Sequence, residues 1–274
     1  MSDVYTVGAT LLKVSGVNLA LGGRPILRDV NLEIKDIQRA GQTTGQVVGL
    51  LGPSGMGKTQ LFRIIAGLNA PDSGTVLVGE AQQPVERGRV GVVAQHYPLF
   101  NHRTVMGNLL VAGRRAGLSS DASEQKARGL LKGFGMEEHG KKWPAQLSGG
   151  QRQRIAIAQQ FMCSDNFLLM DEPFSGLDPL AIDRVADFIN GVAHSHELNT
   201  IIVVTHDITA AMEVSDTIWL MGRDRDEKGE PIPGARIQAT YNLIDCGLAF
   251  RKGITADPEF LRISNEIRKR FETL

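Results

Sequence analysis

The sequence predicts an α/β fold with a largely parallel sheet covered by helices, an N-terminal antiparallel β subdomain, and an α-helical subdomain inserted in the core. Three patterns point to it. Residues 11–21 (LLKVSGVNLAL) and 26–34 (ILRDVNLEI) alternate apolar and polar side chains around Gly22-Gly23-Arg24-Pro25, the period-2 signature of a half-buried hairpin. After Gln46 the alternation gives way to short unbroken apolar runs at 47–51, 90–93, 167–170, 201–204 and 218–221, as expected of strands buried on both faces. Helical stretches separate these runs, and two of them adjoin without a strand between, which marks residues 96–162 as the inserted helical lobe.

In chain order, the hairpin is followed by 35–46 (KDIQRAGQTTGQ), expected as a surface loop before the strand 47–51. Helices are predicted over 58–66, 105–116, 122–133, 151–162, 180–194 and 208–214. The charged stretch 223–230 (RDRDEKGE), with Pro231 and Pro233 beyond it, reads as an exposed loop. Asp257-Pro258-Glu259 supplies an N-cap, an N1 proline and a first-turn acid. Phe260, Ile263, Ile267 and Phe271 follow at helical spacing. That last helix is expected to pack on the chain's own core, with a regulatory or dimer contact as the alternative.

Composition narrows the functional classes. Thirty basic residues balance thirty acidic ones, so a surface gripping nucleic acid mainly through phosphates is not expected, and with 42% hydrophobic residues neither is a disordered chain. Two cysteines, Cys163 and Cys246, are too few and too distant for a disulfide framework or a zinc site and fit a reducing compartment. No stretch approaches the roughly 20 apolar residues of a spanning helix, and residues 1–8 lack a signal-peptide pattern. Any role at a membrane is therefore expected to need another chain to supply the span.

The strongest local signal is Gly52-Pro53-Ser54-Gly55-Met56-Gly57-Lys58-Thr59, a match to G-x-x-x-x-G-K-[ST] between the strand 47–51 and the helix 58–66. Glycines let the backbone curl so that successive N–H groups and a helix N-terminus surround a polyphosphate, with Lys58 on the β and γ phosphates and the Thr59 hydroxyl on Mg²⁺. A second site follows the apolar run 167–170: Asp171 and Glu172 stand where a parallel strand ends and ligands usually bind. There Asp171 is suited to hold Mg²⁺ through water, leaving Glu172 to polarise an attacking water. The third piece, Leu147-Ser148-Gly149-Gly150-Gln151, is another glycine turn opening a helix; taken alone it is equally a capped helix start with Ser148 as N-cap.

Together these motifs resemble the ATP-binding subunit of an ABC transporter, over most of residues 10–222. The resemblance implies a P-loop NTPase (RecA-like) core and a C-terminal extension from 223 to 274. It identifies 52–59 with the Walker A motif, 167–172 with Walker B, and 147–151 with the LSGGQ signature. It also implies a Mg²⁺-contacting glutamine at Gln95, a D-loop at Ser175-Gly176-Leu177-Asp178 and a switch histidine at His206. In such proteins two ATP-binding subunits, identical or different, pack head to tail, so that Ser148, Gly149, Gly150 and Gln151 of one meet the ATP held by the other. The implied partners are that second subunit, integral membrane permease subunits and a substrate-binding protein, with no nucleic acid. The implied location is the cytoplasmic face of the inner (plasma) membrane, held through the permease, in a bacterial importer. A soluble ATPase of the same type, acting in DNA repair or on ribosomes, is the alternative; it would be expected to carry a long coiled-coil insertion or a second cassette.

Two residues depart from the family pattern. Leu21 stands where an aromatic residue stacks on adenine, which implies weaker discrimination between ATP and GTP. Gln60 replaces a serine or threonine after Thr59, and its amide can still donate to the α-phosphate. Between Gln95 and the signature, Tyr97, Pro98, Leu99 and Phe100 are expected near the permease contact. Phe100 is the one expected to be exposed, and Val105, Leu109 and Leu110 the ones expected in a helical core.

Overall fold

The computed structural model describes residues 5–39, 45–94, 97–164, 167–194, 196, 199–249, 251 and 253–274. Two sheets frame it. The first is antiparallel, in the order β2-β1-β4-β5, from β1 (Tyr5–Leu21), β2 (Arg24–Arg39), β4 (Ser73–Val78) and the short β5 (Gln83–Pro84). The second runs in the order β10-β9-β3-β8-β7-β6. In it β3 (Gln46–Leu51), β6 (Gly91–Val93), β7 (Phe167–Asp171), β8 (Thr200–Thr205) and β9 (Thr217–Gly222) are parallel, while β10 (Arg236–Asn242) closes the edge antiparallel to β9.

The hairpin joins β1 to β2 through Gly22 and Gly23, with φ of 58° and 77°. Positive φ at both central residues gives a turn whose twist matches the strands, and it requires glycine. The strands run further than the alternation of 11–34 indicates. Residues 35–39, expected in a surface loop, continue β2: Lys35 pairs with Thr10, Ile37 with Val7 and Arg39 with Tyr5. Asp36 and Ile37 are buried there, and Gln38 Nε2 donates to Asp36 Oδ2 at 2.7 Å. One apolar residue among charges carries no strand signal, because the pairing partner lies some thirty residues earlier in β1. Residues 40–44 of the expected loop lie outside the described residues.

Strands β3 and β8 are buried along their whole length, so both faces of the parallel sheet are covered. On one face, α1 (Lys58–Ile65) inserts Leu61, Phe62, Ile64 and Ile65 between the two sheets. On the other lie α5 (Pro179–Ala193) and α6 (Ile208–Val214). A separate core is formed by α2 (Val105–Arg115), α3 (Ser120–Gly133) and α4 (Gly149–Phe161) around Val105, Leu109, Leu131 and Ile155. α4 belongs to both: Ile155 and Ala158 face the helical core, while Ala156 and Ile157 face the parallel sheet.

The C-terminal helix α7 (Pro258–Phe271) starts at Asp257, whose side chain accepts from Glu259 N. It buries Phe260, Ile263 and Ile267 against β9 and α6. Strands β4, β5 and β10 escape sequence reading for one reason: their side chains are mostly exposed or half-buried, so neither an apolar run nor a clean alternation marks them.

Candidate functional site

The site lies along the C-terminal ends of β3, β7 and β8, neighbours in the parallel sheet, where this topology places ligands. β3 ends in the loop 52–57, which turns into α1. Gly55 and Gly57 have φ of 82° and 84°, and a methyl group on Gly57 would lie 2.8 Å from Ile26 Cγ2. Both the dihedral and the close approach of the hairpin demand glycine there. No side chain among the described residues caps the N-terminus of α1, so its first N–H groups remain available to an anion. Lys58 bends back over this loop and donates from Nζ to the carbonyls of Gly52 at 2.6 Å and Pro53 at 3.0 Å. It is buried, and burial lowers its pKa against the opposing pull of the Glu172 and Asp171 charges. The Thr59 hydroxyl is on an exposed residue, as are Ser54 and Gly55, whereas Met56 packs partly against the core between the sheets.

β7 delivers the two carboxylates. Burial raises the Asp171 pKa first and the neighbouring Glu172 charge adds to it, while Lys58 opposes both. Glu172 itself has φ of 48°, a left-handed conformation uncommon for a residue with a side chain. Its N–H donates to Val204 O at 2.8 Å, which ties the end of β7 to β8. Its carboxylate is gripped from both sides: Thr205 Oγ1 donates to Oε2 at 2.9 Å, and His206 Nδ1 lies 2.9 Å from Oε1. Thr205 also accepts from Asp207 N at 3.1 Å, so the strand end that carries His206 is braced. Thr205 is a site residue that motif reading missed; its one signal in the sequence is its position at the end of a buried strand directly before His206.

The second glycine turn is built differently. Ser148 Oγ accepts from Gln151 N at 3.3 Å and Gln151 Oε1 accepts from Ser148 N at 3.0 Å, a reciprocal capping box. Gly149 and Gly150 are exposed, and nothing among the described residues lies within 4 Å of where a methyl group would sit on either. The turn lines a cavity of about 440 Å³ with Leu177, Arg184 and Phe188, so the signature and D-loop segments meet there. Asp178 caps α5 by accepting from Ala181 N at 3.0 Å.

Leu21 is 47% exposed at the end of β1, in the hairpin whose other strand abuts Gly57 of the phosphate loop through Ile26. Gln60 Oε1 accepts from Asn69 Nδ2 at 3.4 Å, leaving the amide nitrogen as the donor end. Gln95 lies outside the described residues. After it, Tyr97 OH donates to Pro173 O at 3.2 Å, and burial pushes the Tyr97 phenol up to about 12. Phe100 is exposed and Val105 and Leu109 are fully buried, whereas Leu110, expected in the same core, is only half-buried.

A family model described as "ABC transporter" matches residues 37–175. The sulfate/thiosulfate import ATP-binding protein CysA 2 of Rhizobium meliloti (strain 1021) is 35% identical over 224 residues, covering 79% of this chain and 59% of that one. The protein of the same name from Shewanella oneidensis is 41% identical over 229 residues, covering 80% of this chain and 62% of that one. The chain thus spans about six-tenths of the length of these relatives. Among solved structures, cbiO1 of Clostridium perfringens, part of the ABC transporter complex cbiONQ, superposes with a TM-score of 0.73. It is 25% identical and the match covers 95% of this chain and 99% of that one.

Proposed function

The chain belongs to the ABC transporter family, and on that premise we propose that it is an ATP-hydrolysing subunit. Two copies, or this chain and a similar one, close head to tail around two ATP molecules and drive substrate through a separate membrane permease. The observation that carries this reading is the convergence, on three neighbouring strand ends, of Lys58 in its carbonyl cradle, the Asp171 and Glu172 carboxylates, and His206 on Glu172. The relatives' names favour import, and so transport over a soluble ATPase acting on DNA or ribosomes. Sulfate and thiosulfate are the first substrates to test. On this reading it attaches peripherally through permease subunits, at the cytoplasmic face; no helix among the described residues is long and apolar enough to cross a membrane.

Each residue then has a task. The curled loop 52–57 and the open N-terminus of α1 bind the phosphates. Lys58, already desolvated, exchanges its two carbonyl partners for phosphate oxygens. The donor set fits Mg²⁺: a threonine hydroxyl and a half-buried carboxylate whose repulsion with its neighbour a divalent cation relieves. Thr59, Asp171 and Gln95 would hold that ion, which when bound neutralises charge on the phosphates. Glu172, with its carboxylate oriented by Thr205 and His206, accepts the proton of the attacking water as its oxygen bonds to the γ-phosphorus and the β–γ bridge breaks. His206 meets Glu172 through Nδ1, which leaves Nε2 to meet a γ-phosphate oxygen and stabilise charge developing there. Ser148, Gly149, Gly150 and Gln151 meet the ATP of the other copy, with Asp178 nearby.

Glu172→Gln tests the reading. The amide keeps the shape and loses the base, so hydrolysis should fall by about 10²- to 10⁴-fold. ATP binding should persist and accumulate a long-lived dimer, read by sedimentation. Near-normal turnover in this variant would sink the assignment.

A further inference from the structure

We propose that His139 is a positioning residue for the signature turn: its neutral imidazole fixes the side-chain amide of Gln151 and so holds the turn in the form that meets the other copy's ATP. The inference rests on the head-to-tail reading above.

The capping box decides the chemistry. Gln151 Oε1 is committed to the Ser148 N–H at 3.0 Å, so the other end of that amide, Nε2, carries only hydrogens to give. Nε2 lies 3.0 Å from His139 Nε2. That ring nitrogen must therefore present a lone pair, which makes the imidazole neutral with its proton on Nδ1. An imidazolium would set N–H against N–H. An amide rotated by half a turn would set oxygen against the ring lone pair and N–H against the Ser148 N–H. Because the Ser148 N–H can only donate, the capping box fixes the orientation of the amide, and the tautomer of His139 follows from it.

Two further observations point beyond simple packing. His139 Nδ1 is buried with no hydrogen-bond partner among the described residues, so the hydrogen bond the ring makes to this chain is the one to Gln151. His139 also stands on a segment pinned to the helical core, because Met106 N donates to Gly140 O at 2.9 Å and Val105 N to Lys142 O at 2.8 Å. The imidazole thus joins the start of α2 to an otherwise exposed turn, and a shift of the helical lobe would be felt at Gln151.

The test uses the full chain carrying Glu172→Gln, with Mg²⁺-ATP, and adds His139→Leu or His139→Gln. Leucine removes the acceptor; glutamine offers Oε1 at similar reach. His139→Leu should weaken ATP-driven dimerisation by up to about thirtyfold, the effect of one ordinary intrachain hydrogen bond removed behind each of the two signature turns. Binding of a fluorescent ATP analogue to the monomer should be unchanged, and His139→Gln should recover most of the dimer. Nitrogen-15 spectra of the unsubstituted chain should show His139 as the Nδ1–H tautomer. A dimer indifferent to residue 139, a glutamine variant no better than leucine, or an Nε2–H tautomer overturns the proposal. If Glu172→Gln itself stays monomeric with ATP, the head-to-tail reading fails, and with it the purpose assigned to His139.

Discussion

Two glycine turns open helices in this protein, one at 52–57 before α1 and one at 148–150 before α4, and they are glycine-rich for different reasons. In the first, the chain's own structure demands the residue. Gly55 and Gly57 have left-handed backbones, a methyl group on Gly57 would press on Ile26, and one on Gly52 would lie 2.5 Å from Met221 O. In the second, Gly149 and Gly150 are helical and face open space. The caps are reversed as well: α1 has no side-chain cap, whereas α4 is closed by Ser148 and Gln151. A turn whose glycines the chain itself explains is a finished half-site with its donors waiting. A turn whose glycines nothing among the described residues explains has room for a group from outside the chain, which under the proposed function is the other copy's nucleotide.

Substitution can break this contrast. Gly57→Ala combines a left-handed alanine with a clash against Ile26 and should lower unfolding free energy by about 2–4 kcal/mol in denaturant titrations, with nucleotide binding lost. Gly150→Ala should leave stability within about 0.5 kcal/mol. Its effect belongs to the dimer: in the Glu172→Gln background, sedimentation should show ATP-driven association weakened while monomer binding persists. Equal destabilisation by the two alanines would erase the distinction.

The electrostatics differ in the same sense. The first half-site carries repulsion between Asp171 and Glu172, whereas residues 148–151 bear no charge. Because the folded-state pKa of Asp171 is raised, the folded chain holds a proton that the unfolded chain releases. Stability from this group is therefore present below the ordinary carboxylate range and lost as pH rises through the raised value. Asp171→Asn should accordingly raise the melting temperature at pH 7, make little difference below pH values of about 3, and abolish hydrolysis. A neutral-pH melting temperature lower than that of the parent chain would show that the Lys58 attraction outweighs burial and repulsion. The smallest effect is expected at the hairpin tip. Leu21→Tyr adds a stacking face at an exposed position and should tighten nucleotide binding by about 1 kcal/mol, read by calorimetry with ATP and GTP. No gain would move the base away from Leu21.

Much of this site is legible without coordinates because its residues are close in sequence and their spacing has a mechanism. Lys58 and Thr59 follow their glycines, Asp171 and Glu172 end an apolar run, and Ser148 precedes Gln151 by three residues. Thr205 and His139 are different. Their importance lies in partners 33 and 12 residues away, and no local pattern announces either bond. The same holds for residues 35–39, which become a strand because β1 is there to pair with them.

Local chemistry in the sequence thus determined the helix starts at Ser148 and Asp257, the buried strands of the parallel sheet, and which side chains can handle phosphate. Tertiary structure alone decided that three strand ends would stand side by side, that Glu172 would be held between Thr205 and His206, and that the glycines at 149 and 150 would face empty space. The physical reason is range: capping and burial periodicity act within a turn or a strand. Convergence of carboxylate, hydroxyl and imidazole needs the sheet to bring distant segments within hydrogen-bond reach.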